Sequence, residues 1–313
     1  MIKRTLHFGN PAYLSLKNQQ LIVQIPDAPE GEPPRSVPIE DIGFVLLDHP
    51  QITITQGVLE ALMENNAAIV TCDKKHHPSG LMLPLEGHTL QSARYQAQIA
   101  ASEPLRKQLW QQTIAAKINN QAAVLEAHFI EAKPLRKWAK EVLSGDSTNL
   151  EARAAVYYWR HIFEVEYAAN DDSSSSELDT DFVRRRDGDA PNSLLNYGYA
   201  ILRAAVARGL VASGLLPTLG IHHRNQYNAF CLDDDIMEPY RPLVDKLVKN
   251  IFPLSPKDGE LTPELKRKLL VIPTLDVVID GKSSPLMVGL QRSTASLVAC
   301  YEGTAKKILY PKM

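Results

Sequence analysis

Residues 194–215 read LLNYGYAILRAAVARGLVASGL. This stretch is almost continuously apolar and rich in alanine and glycine, which predicts a long helix packed on all sides by other elements. Such a helix needs helical neighbours, and apolar residues recur at helical spacing on both sides of it. Those residues are Leu150, Ala154, Tyr157, Tyr158, Ile162 and Val165 before it, and Leu243, Leu247, Val248 and Ile251 after it.

The helical pattern begins near Ser92, and residues 105–117 and 122–132 are also rich in good helix formers. Earlier residues have the pattern of β structure. Tyr13–Leu16 and Leu21–Ile25 flank a polar turn and predict a hairpin. Further predicted elements are strands at 43–47, 51–55 and 67–71 and a short helix around Val58, Leu59 and Leu62. The predicted fold is therefore α+β, with a small β-rich N-terminal domain at 1–90 and a larger all-α domain at 91–313.

Composition is that of an ordered protein, with 44% hydrophobic and 22% charged residues in a chain of 313. The N-terminus has no long apolar core of the kind found in signal peptides, and no apolar run approaches the length of a membrane span. We therefore expect a cytoplasmic protein with no membrane partner. Cys72, Cys231 and Cys300 form no CxxC pair, which argues against a disulfide scaffold or a structural zinc site.

The formal net charge of −2 argues mildly against nucleic acid as a partner. Phosphate contacts depend on local clusters, however, and three stretches are locally basic. These are Lys133 to Lys140, Arg184-Arg185-Arg186, and Lys306-Lys307 with Lys312. Carboxylates of a metal site would also lower the net charge, so composition leaves the question of DNA binding open.

Two acids, Asp235 and Glu238, lie three residues apart, so their carboxylates share a face if the segment is helical. Pro239 and Pro242 fit a helix only near its first turn, which predicts both acids at a helix N-terminus. Acids are favourable there as simple caps, and they are also suitable metal ligands. Both interpretations fit the residues.

Glu151 allows the same two interpretations, because Thr148-x-x-Glu151 is also a capping-box pattern. His222 and His223 form a histidine pair, and His223 precedes the acids Asp235 and Glu238 by 12 and 15 residues. A histidine with carboxylates suits Mg²⁺ or Mn²⁺, which favour oxygen ligands and tolerate an imidazole.

Several separate motifs together resemble the CRISPR-associated adaptation integrase family, and its type II members in particular. The motifs are Gly220-x-x-His223, Asp235-x-Met-Glu238-Pro-Tyr-Arg-Pro242, Asn192-Ser-Leu-Leu-Asn-Tyr-Gly-Tyr-Ala-Ile-Leu202, the helix start around Glu151, Tyr13-Leu-Ser-Leu-Lys-Asn18 and Cys72-Asp-Lys-Lys-His-His-Pro-Ser-Gly80. They occur in the family's order from the N-terminus to at least Arg292, so the resemblance covers nearly the whole chain.

The resemblance implies that Glu151, His223 and Glu238 bind the metal, that Asp235 is an assisting catalytic acid, and that the cofactor is Mg²⁺ or Mn²⁺. His222 is the competing histidine, but the family pattern places the ligand three residues after Gly220. The implied function is CRISPR spacer acquisition. In that reaction the 3′-OH ends of short DNA fragments are joined to a repeat array by phosphodiester transesterification, and the family also cleaves DNA as an endonuclease.

The same resemblance implies the partners. They are double-stranded DNA, as prespacer and repeat, and a second copy of the chain in a homodimer formed through the β domain. A second small CRISPR adaptation protein would bridge two such dimers into a heterohexamer.

Two other functions fit the same residues. A nuclease would use the same ligands to activate water, whereas a DNA-binding scaffold would use Glu151 and Asp235 only as caps. Arg241 and the run Arg184-Arg185-Arg186 are candidates for phosphate contacts, although a solvated loop explains the run equally well. Core packing is the favoured role for Tyr197 and Trp159, over stacking on bases.

Overall fold

The computed structural model describes residues 3–26, 29, 33–74, 76–163, 182–185, 188–256 and 261–313. Val165 and Arg186 lie outside the described residues. So do the serine-rich stretch 173–176 and part of the Pro- and Gly-rich stretch 27–34, both of which we expect from their composition to be loops.

Two four-stranded sheets form the N-terminal part. The first has the order β1-β5-β7-β8 and the second β4-β3-β2-β6. The strands are β1 Arg4–Phe8, β2 Ala12–Lys17, β3 Gln20–Gln24, β4 Arg35–Pro38, β5 Ile42–Leu47, β6 Ile52–Ile54, β7 Ala68–Cys72 and β8 Pro78–Met82. Strands β1, β5 and β7 run parallel to one another, and β8 is antiparallel to β7.

The predicted hairpin is formed by β2 and β3, with Tyr13 opposite Gln24 and Lys17 opposite Gln20. Asn18 and Gln19 at its turn both have positive φ, 50° and 56°, which matches the twist of the flanking strands. The other predicted strands and the short helix of this region are also present.

Helices make up most of the remaining chain. Including one from the β-rich part, they are α1 Gln56–Glu64, α2 Gln91–Ile99, α3 Glu103–Ala127, α4 Lys133–Glu141, α5 Leu150–Ile162, α6 Asn192–Ala212, α7 Cys231–Met237, α8 Arg241–Ile251, α9 Pro263–Leu269 and α10 Leu286–Tyr301. The stretch 105–117 and residues 122–127 of the second stretch belong to one continuous helix, α3, because nothing between them breaks helical structure. Residues 128–132 lie beyond its end. None of the helices within the described ranges is long and apolar enough to cross a membrane.

The apolar stretch 194–215 lies mostly in α6, and most side chains of this helix are buried, as predicted. It belongs to one large core that also includes Phe44, Leu46, Ala68 and Val70 from the first sheet. A smaller core lies between the two sheets and α1. One face of the first sheet is therefore continuous with the helical core.

The predicted fold class, a β-rich N-terminal part followed by a helical part, is confirmed. The helical part also contains one short antiparallel hairpin that was not predicted, formed by β9 Asp276–Ile279 and β10 Lys282–Pro285. The description of this part as all-α is incomplete in that respect. The reason is that DVVI and KSSP are too short to show strand alternation clearly. The domain boundary at residue 90 stays a prediction.

Candidate functional site

The middle of α3 carries a lysine that gathers two acids from distant parts of the chain. Lys117 Nζ lies 2.7 Å from Glu151 Oε1 and 2.5 Å from Glu238 Oε2. The Lys117 side chain is 12% exposed and that of Glu238 is 6% exposed. Two of the three predicted metal ligands therefore meet at one buried positive charge.

Glu151 reaches this position because another acid caps its helix. Asp146 accepts hydrogen bonds from the backbone N–H groups of Leu150 (2.9 Å) and Glu151 (3.0 Å). The residue at the N-cap position, Asn149, has left-handed backbone geometry and makes no side-chain cap. The capping-box interpretation of Thr148 and Glu151 is thus wrong, because Asp146 already satisfies the free N–H groups. The Glu151 carboxylate is left to face Lys117.

Glu238 lies at a junction between two helices rather than at a simple helix start. Asp235 is inside α7, and Glu238 opens a single tight turn, Glu238–Tyr240, which leads directly into α8. The prediction that both acids share one helix N-terminus is therefore wrong. Pro239 and Pro242 each stand at the start of their own turn, where a missing N–H costs no hydrogen bond.

The charges around Glu238 keep it ionised. Burial alone would raise its pKa, but Arg241 and Lys117 together hold that pKa below its ordinary value. Arg241 Nε lies 3.1 Å from Glu238 Oε1. Burial would likewise lower the pKa of Lys117, and the two glutamates raise it instead. Both sides of this cluster are charged at neutral pH.

His223 is oriented by Asp235. Its Nδ1 lies 2.6 Å from Asp235 Oδ1, and the backbone N–H groups of Ile221 and His222 donate to the other oxygen of the same carboxylate. The hydrogen bond to Asp235 raises the pKa of His223. With Nδ1 engaged, Nε2 is the ring nitrogen that remains to bind a ligand. Asp235 is fully buried and acts here through the histidine.

His222 is used differently. Its ring stacks on Trp110 of α3, with centroids 4.2 Å apart and planes within 3° of parallel. His223 meets the same indole edge-on at 5.7 Å. Trp110 lies seven residues before Lys117, so one face of α3 holds both the histidine pair and the two glutamates.

Whether a divalent cation suits these residues can be tested on Glu238. Its Oε2 is buried and has no hydrogen bond of acceptable geometry, although Lys117 Nζ is close enough for an ion pair. A buried carboxylate oxygen without a hydrogen bond is ready for a cation, and the donor set of two carboxylates and an imidazole suits Mg²⁺ or Mn²⁺. The residues fit such an ion. As arranged here, no three His, Cys, Asp or Glu side chains among the described residues are close enough together to hold a metal.

The other residues singled out by sequence lie around this cluster or in the core. Arg184 is not in a solvated loop, since it donates to Asn192 and Asn196 and lies over the Tyr199 ring. Tyr197 is buried, and Trp159 packs near Phe163 and Phe182, in keeping with core packing.

Sequence reasoning missed Lys117, Trp110 and Asp146. Lys117 and Trp110 are single residues in a helix with no motif around them. Asp146 had a local signal, since an acid shortly before a helix start is a common cap.

The chain matches the family model described as CRISPR associated protein Cas1 over residues 7–255. The chain belongs to the Cas1 family. It is 36% identical to the CRISPR-associated endonuclease Cas1 of Neisseria meningitidis serogroup C (strain 8013), over 316 residues that cover 100% of this chain and 97% of the relative. Membership confirms the predicted family and, at the level of a CRISPR-associated endonuclease, the predicted class of enzyme.

Solved structures share the fold of this Cas1-family chain. A casposase bound to integration product superposes with a TM-score of 0.76 at 19% identity, covering 98% of this chain and 92% of that one. A chain of a Cas6-RT-Cas1–Cas2 complex gives a TM-score of 0.72 at 21% identity, covering 99% of this chain and 36% of that one. At these identities the likeness concerns the fold.

Proposed function

We propose that this chain joins the 3′-OH ends of short DNA fragments to a repeat array, using a divalent cation held by Glu151, His223 and Glu238. The observation that carries the proposal is that Glu151 and Glu238 both contact the ammonium group of Lys117. Glu151 lies on α5 and Glu238 lies in the turn between α7 and α8, and two simple helix caps would have no reason to converge.

The residues of the chain have separate tasks in this proposal. Glu151 and Glu238 supply oxygen ligands, and Asp235 fixes the ring of His223 so that Nε2 can bind. Arg241 keeps Glu238 ionised through the contact with its other oxygen. A bound Mg²⁺ or Mn²⁺ would supply a Lewis acid at the scissile phosphate and would ease deprotonation of the attacking hydroxyl.

A groove of about 560 Å³ offers a path for the DNA backbone. Lys307 and Lys312 of the C-terminal tail line it together with Arg136 and the amide side chains of α3. One of these amides, Asn120, donates to the carbonyl of Pro239, the residue after Glu238. The groove therefore borders the candidate site, and its positive charges suit a phosphate backbone.

Partners follow from the same proposal. We expect the chain to act on double-stranded DNA as prespacer and repeat, as a homodimer that assembles with a second small CRISPR adaptation protein. The resemblance to a chain of a Cas6-RT-Cas1–Cas2 complex supports this expectation. We also expect the protein to work in the cytoplasm and to be a type II-like member of the family.

A plasmid integration assay tests the proposal. Supercoiled plasmid, a short duplex with free 3′ ends, the partner protein and Mn²⁺ are incubated with wild type, His223→Ala, His222→Ala, Glu238→Ala and Glu238→Gln. We expect joined product from wild type and His222→Ala only. The other variants should lose at least about 100-fold in rate, since each removes a ligand that stabilises transition-state charge. DNA binding, measured separately, should be retained.

The assay also separates the competing functions. Metal-dependent nicking without joined product would favour a nuclease that activates water. DNA binding with neither joined nor nicked product, with or without metal, would contradict a metal enzyme and favour a scaffold. Glu264→Ala on α9, an exposed acid far from the cluster in sequence, is the control for a general effect of removing a carboxylate.

A further inference from the structure

We propose that Lys117 is an internal counter-ion that holds the place of the divalent cation and must be displaced when the metal binds. Lys117 would therefore set the metal affinity of the site. This inference rests on the proposed function, because it assumes that Glu151 and Glu238 are metal ligands.

The first step is the position of the ammonium group. Lys117 Nζ is within 2.7 Å of an oxygen of Glu151 and within 2.5 Å of an oxygen of Glu238. Both contacts are shorter than 3 Å, so the ammonium fills the space between the two carboxylates. A divalent cation bound to the same two oxygens would meet the ammonium at close range, and like charges at that range repel strongly.

The second step is the need for a counter-ion. Glu238 is nearly buried, and buried carboxylates are stable only when they are paired. Arg241 contacts one oxygen of Glu238, and Lys117 contacts the other. Without Lys117, the metal-free protein would hold Glu151 and Glu238 near each other with less positive charge to balance them.

The third step separates an exchangeable counter-ion from a permanent bridge. The contact between Lys117 and Glu238 Oε2 lacks the geometry of a hydrogen bond, so that oxygen is not fully satisfied. Lysine carries its charge on a flexible four-carbon chain and can withdraw by changing rotamer, whereas α3 itself is held by the large core. The lysine can therefore leave without any movement of the helix.

Displacement has a thermodynamic consequence. Metal binding in the wild type must break two ion pairs. The free energy needed to break them makes metal binding less favourable, so the apparent affinity for the metal is lower. A neutral side chain of similar length at position 117 forms no such ion pairs and should therefore raise the affinity for the metal. The same change should destabilise the metal-free protein, because two acids lose their shared partner.

The test compares Lys117→Met with wild type and with Lys107→Met. Lys107 lies on the same helix and pairs with Glu103 at 2.8 Å, but both side chains are exposed. Mn²⁺ affinity is measured by titration with electron paramagnetic resonance detection of free Mn²⁺. Melting temperature is measured in EDTA and in saturating Mn²⁺. Lys117→Gln is the second variant, since its amide keeps hydrogen-bond donors near both acids if the methionine variant does not fold in EDTA.

We expect Lys117→Met to bind Mn²⁺ at least about 10-fold more tightly than wild type. In EDTA it should melt roughly 5 °C or more below wild type, and Mn²⁺ should close most of that gap. Lys107→Met should match wild type in both measurements.

Three results would contradict the inference. If Mn²⁺ affinity is unchanged or weaker and the melting temperature falls equally with and without Mn²⁺, Lys117 is a permanent structural bridge. If neither wild type nor the Lys117 variants bind Mn²⁺, the metal site itself is wrong, and the proposed function fails with it. Tight binding by wild type with no change in the variants would contradict only the role of Lys117.

Discussion

A single carboxylate five residues before Glu151 decides what Glu151 can do. Asp146 satisfies two backbone N–H groups at the start of α5, so the Glu151 side chain does not fold back onto its own helix. Thr148, which the capping-box pattern would use, is exposed. The local sequence offers two caps for one helix, and the structure uses the earlier one.

This assignment gives a direct test at the residue scale. Asp146→Ala should lower the free energy of unfolding by about 1–2 kcal/mol, the usual value of an N-cap, and should reduce integration because Glu151 becomes free to cap the helix. Thr148→Ala should leave both unchanged. Urea denaturation and the plasmid assay measure the two effects. The opposite ranking of the two variants would restore the capping-box interpretation.

At the scale of elements, Asp245 ties three helices together. It lies on α8 and accepts hydrogen bonds from Tyr158 of α5 (3.0 Å) and from Tyr199 of α6. The guanidinium of Arg241, whose Nε contacts Glu238, lies over the Tyr199 ring at 4.9 Å. This buried polar network therefore holds Arg241 in place and, through Arg241, also Glu238.

Burial raises the pKa of Asp245 from 3.8 to about 7, against the opposing effect of the two tyrosine hydrogen bonds. Between these two values the folded protein keeps a proton that the unfolded chain has lost. The stability contributed by this proton is complete below about pH 4 and is lost as pH rises through about 7.

The Asp245→Asn variant has no ionisable side chain at this position, so its free energy of unfolding should not show this loss. We expect its free energy of unfolding, relative to that of wild type, to increase between pH 5 and pH 8 by an amount on the order of a few kcal/mol. Chemical denaturation at the two pH values measures the gain. Asp276→Asn, at an exposed acid of β9, should show the same pH dependence of the free energy of unfolding as wild type. If Asp245→Asn also shows the wild-type pH dependence, Asp245 is ionised throughout this pH range.

At the scale of the whole molecule, the two parts of the chain are joined by charge as well as by the shared core. Asp48, at the end of β5, is buried and lies 3.1 Å from Lys266 Nζ of α9. His76 Nδ1 lies 2.7 Å from the other oxygen of Asp48. Such contacts fix the β-rich part against the helices.

Charge distribution over the whole molecule also explains how a chain of net charge −2 can bind DNA. Acids are concentrated in the site, where Lys117 and Arg241 balance some of them, whereas Lys307 and Lys312 remain exposed along the groove. Net charge sums these two regions and hides both.

The groove predicts a salt-dependent effect. Lys307→Gln with Lys312→Gln should weaken DNA binding and reduce the slope of log affinity against log salt by about 2, one unit for each lost phosphate contact. Lys17→Gln with Lys74→Gln removes the same charge from exposed positions in the β-rich part and should leave the slope unchanged. Equal effects of the two pairs would show that only net charge matters.

The local structure and the candidate ligands could be predicted from the order of the amino acids. Alternation and turn residues predicted the β2–β3 hairpin, and apolar periodicity predicted α6, because strands and helices are recorded in residues close together in the chain. Motif order identified the family and named Glu151, His223, Glu238 and Asp235. The roles of the first three as metal ligands, and of Asp235 as an assisting acid, stay a proposal.

The way in which these residues are used depends on contacts that form only when the chain has folded. Lys117 is 34 residues from Glu151 in the chain. Trp110 stacks on His222, which is even further away in sequence. No local period encodes such contacts, since they depend on where α3 crosses the helices that follow it. The choice of Asp146 over Thr148, and of His222 for stacking while His223 faces Asp235, likewise depends on which side chain finds a partner after the chain has folded.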